Sequence, residues 1–168
     1  MKWLGLGKAE REQAMPTSEA FSKLLRVLNG IDADNHEQAR YLAAFACLLG
    51  RVAYADGFIS SVEQASMKRM LSEHSSLNFM QVDLVLDIAR FETVTNKGAP
   101  DPTVSEIFAR LATEAQRHEL VDCLFALAAA DEVIHPSEWR AVEAISAEVG
   151  VDPAVVARIG EGYAKYRR

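Results

Sequence analysis

Two short stretches of this chain repeat an arrangement of carboxylates that hard metal ions favour. ADGFISSVE at 55–63 holds Asp56 and Glu63, and ADEVIHPSE at 130–138 holds Asp131 and Glu138 at the same spacing. Each Asp closes an apolar run and each Glu lies just inside the amphipathic run that follows. A tight turn between two helices would therefore set both carboxylates at one end of a helical bundle. If the two copies face each other the four side chains converge, and carboxylate oxygens completed by carbonyls and water suit Ca, Mg or Mn, rather than copper. Gly57 lets the first loop turn sharply. The second loop has Glu132 there instead, which either adds a fifth carboxylate or hinders the turn from wrapping an ion.

The same residues have a second reading, as helix caps. Glu63 stands three residues after Ser60, the spacing of a capping box. Glu138 near a helix start opened by Pro136 suits the helix dipole, and Asp56 can form an Asx turn. The loops do not follow the D-x-[DN]-x-[DN]-G calcium-loop pattern. Both readings stay open on spacing alone.

No other constellation makes an active site. His36, His74, His118 and His135 are scattered, without H-E-x-x-H or zinc-type Cys/His spacing. Surface or capping roles are expected for them; His135 alone lies inside one of the acidic loops. There is no G-x-S-x-G elbow, phosphate-cradling glycine loop or dinucleotide fingerprint. A metal-dependent hydrolase would have only the same carboxylates and His135 to work with, so no enzyme is expected.

Composition narrows the partners. The net charge is −6, with 18 basic and 24 acidic residues, and no basic stripe carries interleaved aromatics. That argues against phosphate-neutralising contact with nucleic acid and favours cations or basic partners. Cys47 and Cys123 lie in apolar runs, where a buried reduced thiol is the default. The longest apolar stretches, 41–50 and 123–130, fall short of the about 20 residues a membrane span needs. MKWLGLGKAERE lacks the apolar core of a signal peptide, so a cytoplasmic protein is expected.

The elements that must position these loops all read as helices. Phe21, Leu24, Leu25 and Leu28 form a first apolar stripe, and Asp34 with Glu37 opens a long helix through Ala55 that is apolar nearly all round from Tyr41 to Tyr54. Ser60 with Glu63 opens a third helix, and Asn78 with Gln81 a fourth that runs to about Phe91. Residues 93–101, TVTNKGAPD, are the clearest break. Asp101–Pro102 then opens a helix whose apolar face runs Val104, Ile107, Phe108, Leu111 and Ala115. A second buried helix is expected from about Gln116 to Ala130. Pro136 starts another, with Trp139, Val142, Ile145 and Val149 inward, and Asp152–Pro153 starts the last, with Val156, Ile159, Tyr163 and Tyr166 inward.

Sliding the sequence by 75 positions superposes 48–71 on 123–146 without a gap, with identities clustered in A-x-A-D-x-x-I-x-x-x-E. The expected fold is an all-α bundle of about seven or eight helices, built from two pseudosymmetric repeats (about 34–92 and 102–166) that share one core. Residues 1–17 would form an N-terminal extension and 18–168 a single domain.

AYADGFISSVEQASMKRML (53–71) and LFALAAADEVIHPSEWRAVEAISAEVGV (124–151) resemble the paired signatures of the tellurite-resistance TerB family, also seen as a TerB-like domain in some J-domain co-chaperones. The resemblance covers about residues 20–165. It implies a compact, usually cytoplasmic helical domain with two related halves and no established catalytic activity. It also implies divalent-cation binding, a role in stress responses and assembly with membrane-associated protein partners. By motif position, the family's acidic residues fall on Asp56, Glu63, Asp131 and Glu138. The expectation is thus a non-enzymatic cation-binding module in a tellurite-type stress response, or, alternatively, a purely protein-interaction module whose acidic loops only cap helices.

Overall fold

The structure is a computed structural model and describes residues 36–53, 61–96 and 100–168. The stripe at 21–28, Asp34, Ala55, Asp56 and Ser60 lie outside the described residues. Within them the chain forms seven α-helices: α1 His36–Ala53, α2 Ser61–His74, α3 Phe79–Asn96, α4 Pro102–Leu111, α5 Glu114–Ala128, α6 Pro136–Glu148 and α7 Pro153–Glu161. A short 3-10 turn, Ala164–Tyr166, follows. The all-α class is as the periodicity predicts.

Apolar content decides which helices lie inside. Every residue from Tyr41 to Leu49 is buried, because α1 is packed by α3, α4, α5 and α6 together. The other central helix is α5, where Leu120, Val121, Cys123, Leu124 and Phe125 are all fully buried beneath α1, α2, α6 and α7. Each fully buried Leu or Phe removes enough apolar surface from water to stabilise the fold by about 1.5–3 kcal/mol. The outer helices cover this pair: α2 packs on α5, α3 on α1, α7 on α5, and α6 on both α5 and α1.

Local chemistry sets the helix ends. Asn78 and Gln81 form a reciprocal capping box, each side chain accepting the other's backbone N–H at 3.0 Å. Asp101 Oδ1 accepts from Thr103 N at 3.0 Å before Pro102, and Asp152 Oδ1 accepts from Ala154 N at 2.7 Å before Pro153. Gly150, at φ 77, ends α6 in a Schellman motif: Val151 N donates to Ser146 O at 2.9 Å and Gly150 N to Ala147 O at 3.1 Å.

Two boundaries differ from those expected. The helix predicted to end near Phe91 runs on to Asn96, so the break at 93–101 is shorter than its composition suggests. Thr93, Val94 and Thr95 each cost less than about 0.7 kcal/mol in a helix already under way. Ala115 does not extend the face of Phe108. Instead α4 ends at Leu111, and a Thr113/Gln116 capping box starts α5 at Glu114, leaving Ala115 exposed. The T-x-x-Q pattern was present in the sequence and is the signal that would have placed this start.

Candidate functional site: the second acidic loop and the groove beside it

The loop from α5 to α6 is built by its own polar side chains. Glu132 adopts φ 65, a left-handed backbone that ordinarily favours glycine, and its N–H donates to Ala129 O at 2.9 Å. This is the position where the first copy has Gly57, so Glu132 makes the turn its missing glycine would have made. Asp131 Oδ1 accepts from Val133 N at 3.0 Å, an Asx turn. Ile134 is fully buried, and its backbone pairs with the end of the chain: its N–H donates to Tyr166 O at 2.6 Å and its carbonyl accepts from Arg168 N at 3.2 Å. His135 is exposed at the N-cap of α6, where its backbone N–H donates to Glu138 Oε2 at 2.7 Å. Glu138 is 4% exposed, an acid almost fully withdrawn from water.

Of the four proposed ligands, the structure therefore describes two, and both carboxylates hold backbone N–H groups of their own loop. Asp56 lies outside the described residues. Glu63 falls in the first turn of α2, but its side chain is not described. Among the described residues, no three His, Cys, Asp or Glu side chains are grouped so as to hold a metal ion.

Other polar side chains meet elsewhere. Asp122, on α5, accepts from the Tyr163 hydroxyl at 2.7 Å through Oδ1 and lies 2.6 Å from His74 Nδ1 through Oδ2. His74 is thus half-buried and held against Asp122 rather than a free surface histidine. Burial, and then the donation to Asp122, pushes the Tyr163 hydroxyl well above the ordinary tyrosine range. Cys123 donates to His74 O at 3.7 Å, and burial, with the charges of Asp122 and Glu119, pushes its thiol up. It stays a protonated core residue, since only the thiolate is nucleophilic. Cys47 is also buried and not in a disulfide. The faint sequence signal for this cluster was Asp122 itself, one carboxylate inside the apolar run of α5.

Beside the acidic loop, α6 and α7 leave an open groove of about 420 Å³. Trp139, Val156 and Gly160 line it, with Glu143 on α6 and Glu161 at the end of α7 as its carboxylates and Arg167 as its cation. The Trp139 ring packs on Phe125 with centroids 4.8 Å apart, and its indole N–H donates to Glu143 Oε1 at 2.9 Å. Gly160 admits this packing: a Cβ there would come within 3.1 Å of both Phe125 and Trp139. The Arg167 guanidinium lies over the Trp139 ring, 4.3 Å from its centroid.

A family model described as tellurite resistance protein TerB matches residues 42–161. The chain belongs to the TerB family. The match begins in α1 and ends on the last residue of α7, so the TerB region takes in both acidic loops and both walls of the groove. No curated protein and no solved structure matched this TerB-family chain.

Proposed function

We propose that this TerB-family chain is a non-enzymatic interaction module of a tellurite-resistance-type stress response, acting in the cytoplasm. We infer that it engages a protein partner through the groove between α6 and α7. The observation that carries this reading is the division of labour around the second loop. Asp131 and Glu138 each accept a backbone N–H of their own loop, whereas the neighbouring groove is lined by Trp139 and by two exposed acidic residues, Glu143 and Glu161. The locked Tyr163 hydroxyl and the protonated Cys123 thiol support a structural rather than a reactive role for the other polar groups. A photo-crosslinking residue at Ala157, in the groove, should give a discrete covalent adduct in tellurite-challenged cells, and one at exposed Ala115 should not. Adducts absent from both positions, or equal at both, would reject docking at this groove.

A second reading keeps the cation. Asp131 and Glu132 are both exposed, and Glu132 adopts the left-handed backbone that glycine favours. A carboxylate that accepts one N–H retains lone pairs for Ca, Mg or Mn. Calorimetric titration of metal-free protein against each ion, with an Asp56→Asn/Asp131→Asn double variant as control, tests it. The reading fails if the wild type gives no saturable heat, or if the double variant gives the same heat.

A further inference from the structure

We propose that the occupant of the α6–α7 groove is a protein segment carrying an arginine among apolar side chains, and that its guanidinium takes the place Arg167 holds on Trp139. This rests on the docking reading above and adds the chemistry of the partner.

The groove is half open to solvent, and its volume of about 420 Å³ is that of a cleft able to take a small ligand or a few side chains. Pro153, Ala157 and Ala164, all exposed, give it an apolar lining against which a cation alone would gain little. Glu143 and Glu161 line it, one on each helix, and the chain as a whole is anionic at −6, so the groove favours a cationic over an anionic occupant. Arg167 reveals which cation fits. Its guanidinium sits 4.3 Å from the Trp139 centroid, within cation–π range. Trp139 is 8% exposed and held by its hydrogen bond to Glu143, so the ring is fixed in place before any ligand arrives.

Arg167 is a stand-in rather than a permanent filling. Its side chain is exposed, and the backbone around it is anchored independently of the groove by the Ile134 pairing with Tyr166 and Arg168. The side chain can therefore leave without unseating the chain. Because it is tethered, its effective concentration is high, and a competing arginine alone would not displace it. A competitor must bring apolar side chains to Pro153, Ala157 and Ala164, exposed apolar residues that line the same groove. Trp and Arg are also the residues that most often dominate the energy of protein interfaces.

The test uses the full chain with Trp3→Phe, which leaves Trp139 as its one tryptophan fluorophore. Three 12-residue probes are titrated: a Leu/Ala/Arg peptide, the same peptide with each Arg replaced by norleucine, and a Gly/Arg peptide of equal charge. Vesicles of anionic phospholipid form a fourth arm. Only the Leu/Ala/Arg peptide should shift Trp139 emission saturably. Arg167→Ala should tighten its binding about threefold to tenfold by removing the tethered competitor. The Glu143→Gln/Glu161→Gln variant should weaken binding about threefold or more, since the groove would lose its negative charge. Equal binding of the norleucine peptide, or weaker binding to Arg167→Ala, would overturn the inference. So would a response to vesicles with none to peptides. If no peptide binds while Ala157 still crosslinks in cells, the docking reading stands and the proposed chemistry of the partner falls.

Discussion

The Tyr163 hydroxyl and the His74 imidazole grip opposite oxygens of one carboxylate, Asp122, at 2.7 and 2.6 Å. One side chain on α5 thereby ties α2 to the segment that follows α7. Tyr163→Phe keeps the stacking of this ring on Phe125, at 5.6 Å between centroids, but deletes the hydrogen bond. A loss of about 1–2 kcal/mol is expected, since hydrogen bonds to a charged acceptor run above the neutral average. Asp122→Ala strands both partners and should cost more. Urea unfolding midpoints decide it, and a Tyr163→Phe variant as stable as wild type would refute this role for the bond.

Arg51 and Glu148 make a paired contact between α1 and α6, with Arg51 Nη1 and Nη2 at 2.6 and 3.0 Å from the two carboxylate oxygens. The Ser105 hydroxyl donates to the same carboxylate at 2.5 Å. The Arg51 hydrogen bond above all, with help from Ser105, holds the Glu148 carboxyl below the usual range. Its folded value is thus lower than its unfolded value of about 4.3. The stability it contributes is present above that unfolded value and is lost as pH falls through the folded one. In the Arg51→Met variant the Glu148 titration, followed by carboxyl NMR, should move upward, and the acid-side slope of stability should flatten. An unmoved Glu148 midpoint would contradict the pairing.

The left-handed Glu132 gives a prediction that separates shape from charge. A β-branched residue at φ 65 is strained, so Glu132→Val should destabilise by about 1–2 kcal/mol. Glu132→Gly removes the strain while loosening the unfolded chain, and the two effects should nearly cancel. Thermal unfolding of both variants checks this, and equal losses would show that the carboxylate rather than the backbone matters.

Glu138 is expected to act chiefly as an acceptor for His135 N–H. Glu138→Ala should cost on the order of 1 kcal/mol by opening the first turn of α6. Glu138→Gln retains an oxygen at the same place and should cost less. Should the two variants prove equally unstable, the negative charge itself is required, which would favour the cation reading.

Much of the fold was legible because it depends on local chemistry. The proline and aspartate at 101–102 and 152–153, the Asn78/Gln81 pair and Gly150 mark helix ends through hydrogen bonds made within a few residues. The long apolar run at Tyr41–Leu49 required a central helix, since no single-sided packing could hide it. The extension of α3 to Asn96 was not legible, because weak helix formers do not stop a helix that is already propagating.

The sequence by itself determined an all-α chain and most of its helix ends, because periodicity and turn chemistry are short-range. Only the tertiary structure decided what the polar groups do. Asp122 meets His74 and Tyr163 from sequence separations of 48 and 41, and Glu148 meets Arg51 from 97. Arg167 comes to rest on Trp139 because Ile134 pairs with the chain's last turn. Such contacts depend on how helices cross, a global outcome of filling one core, and no local spacing announces them.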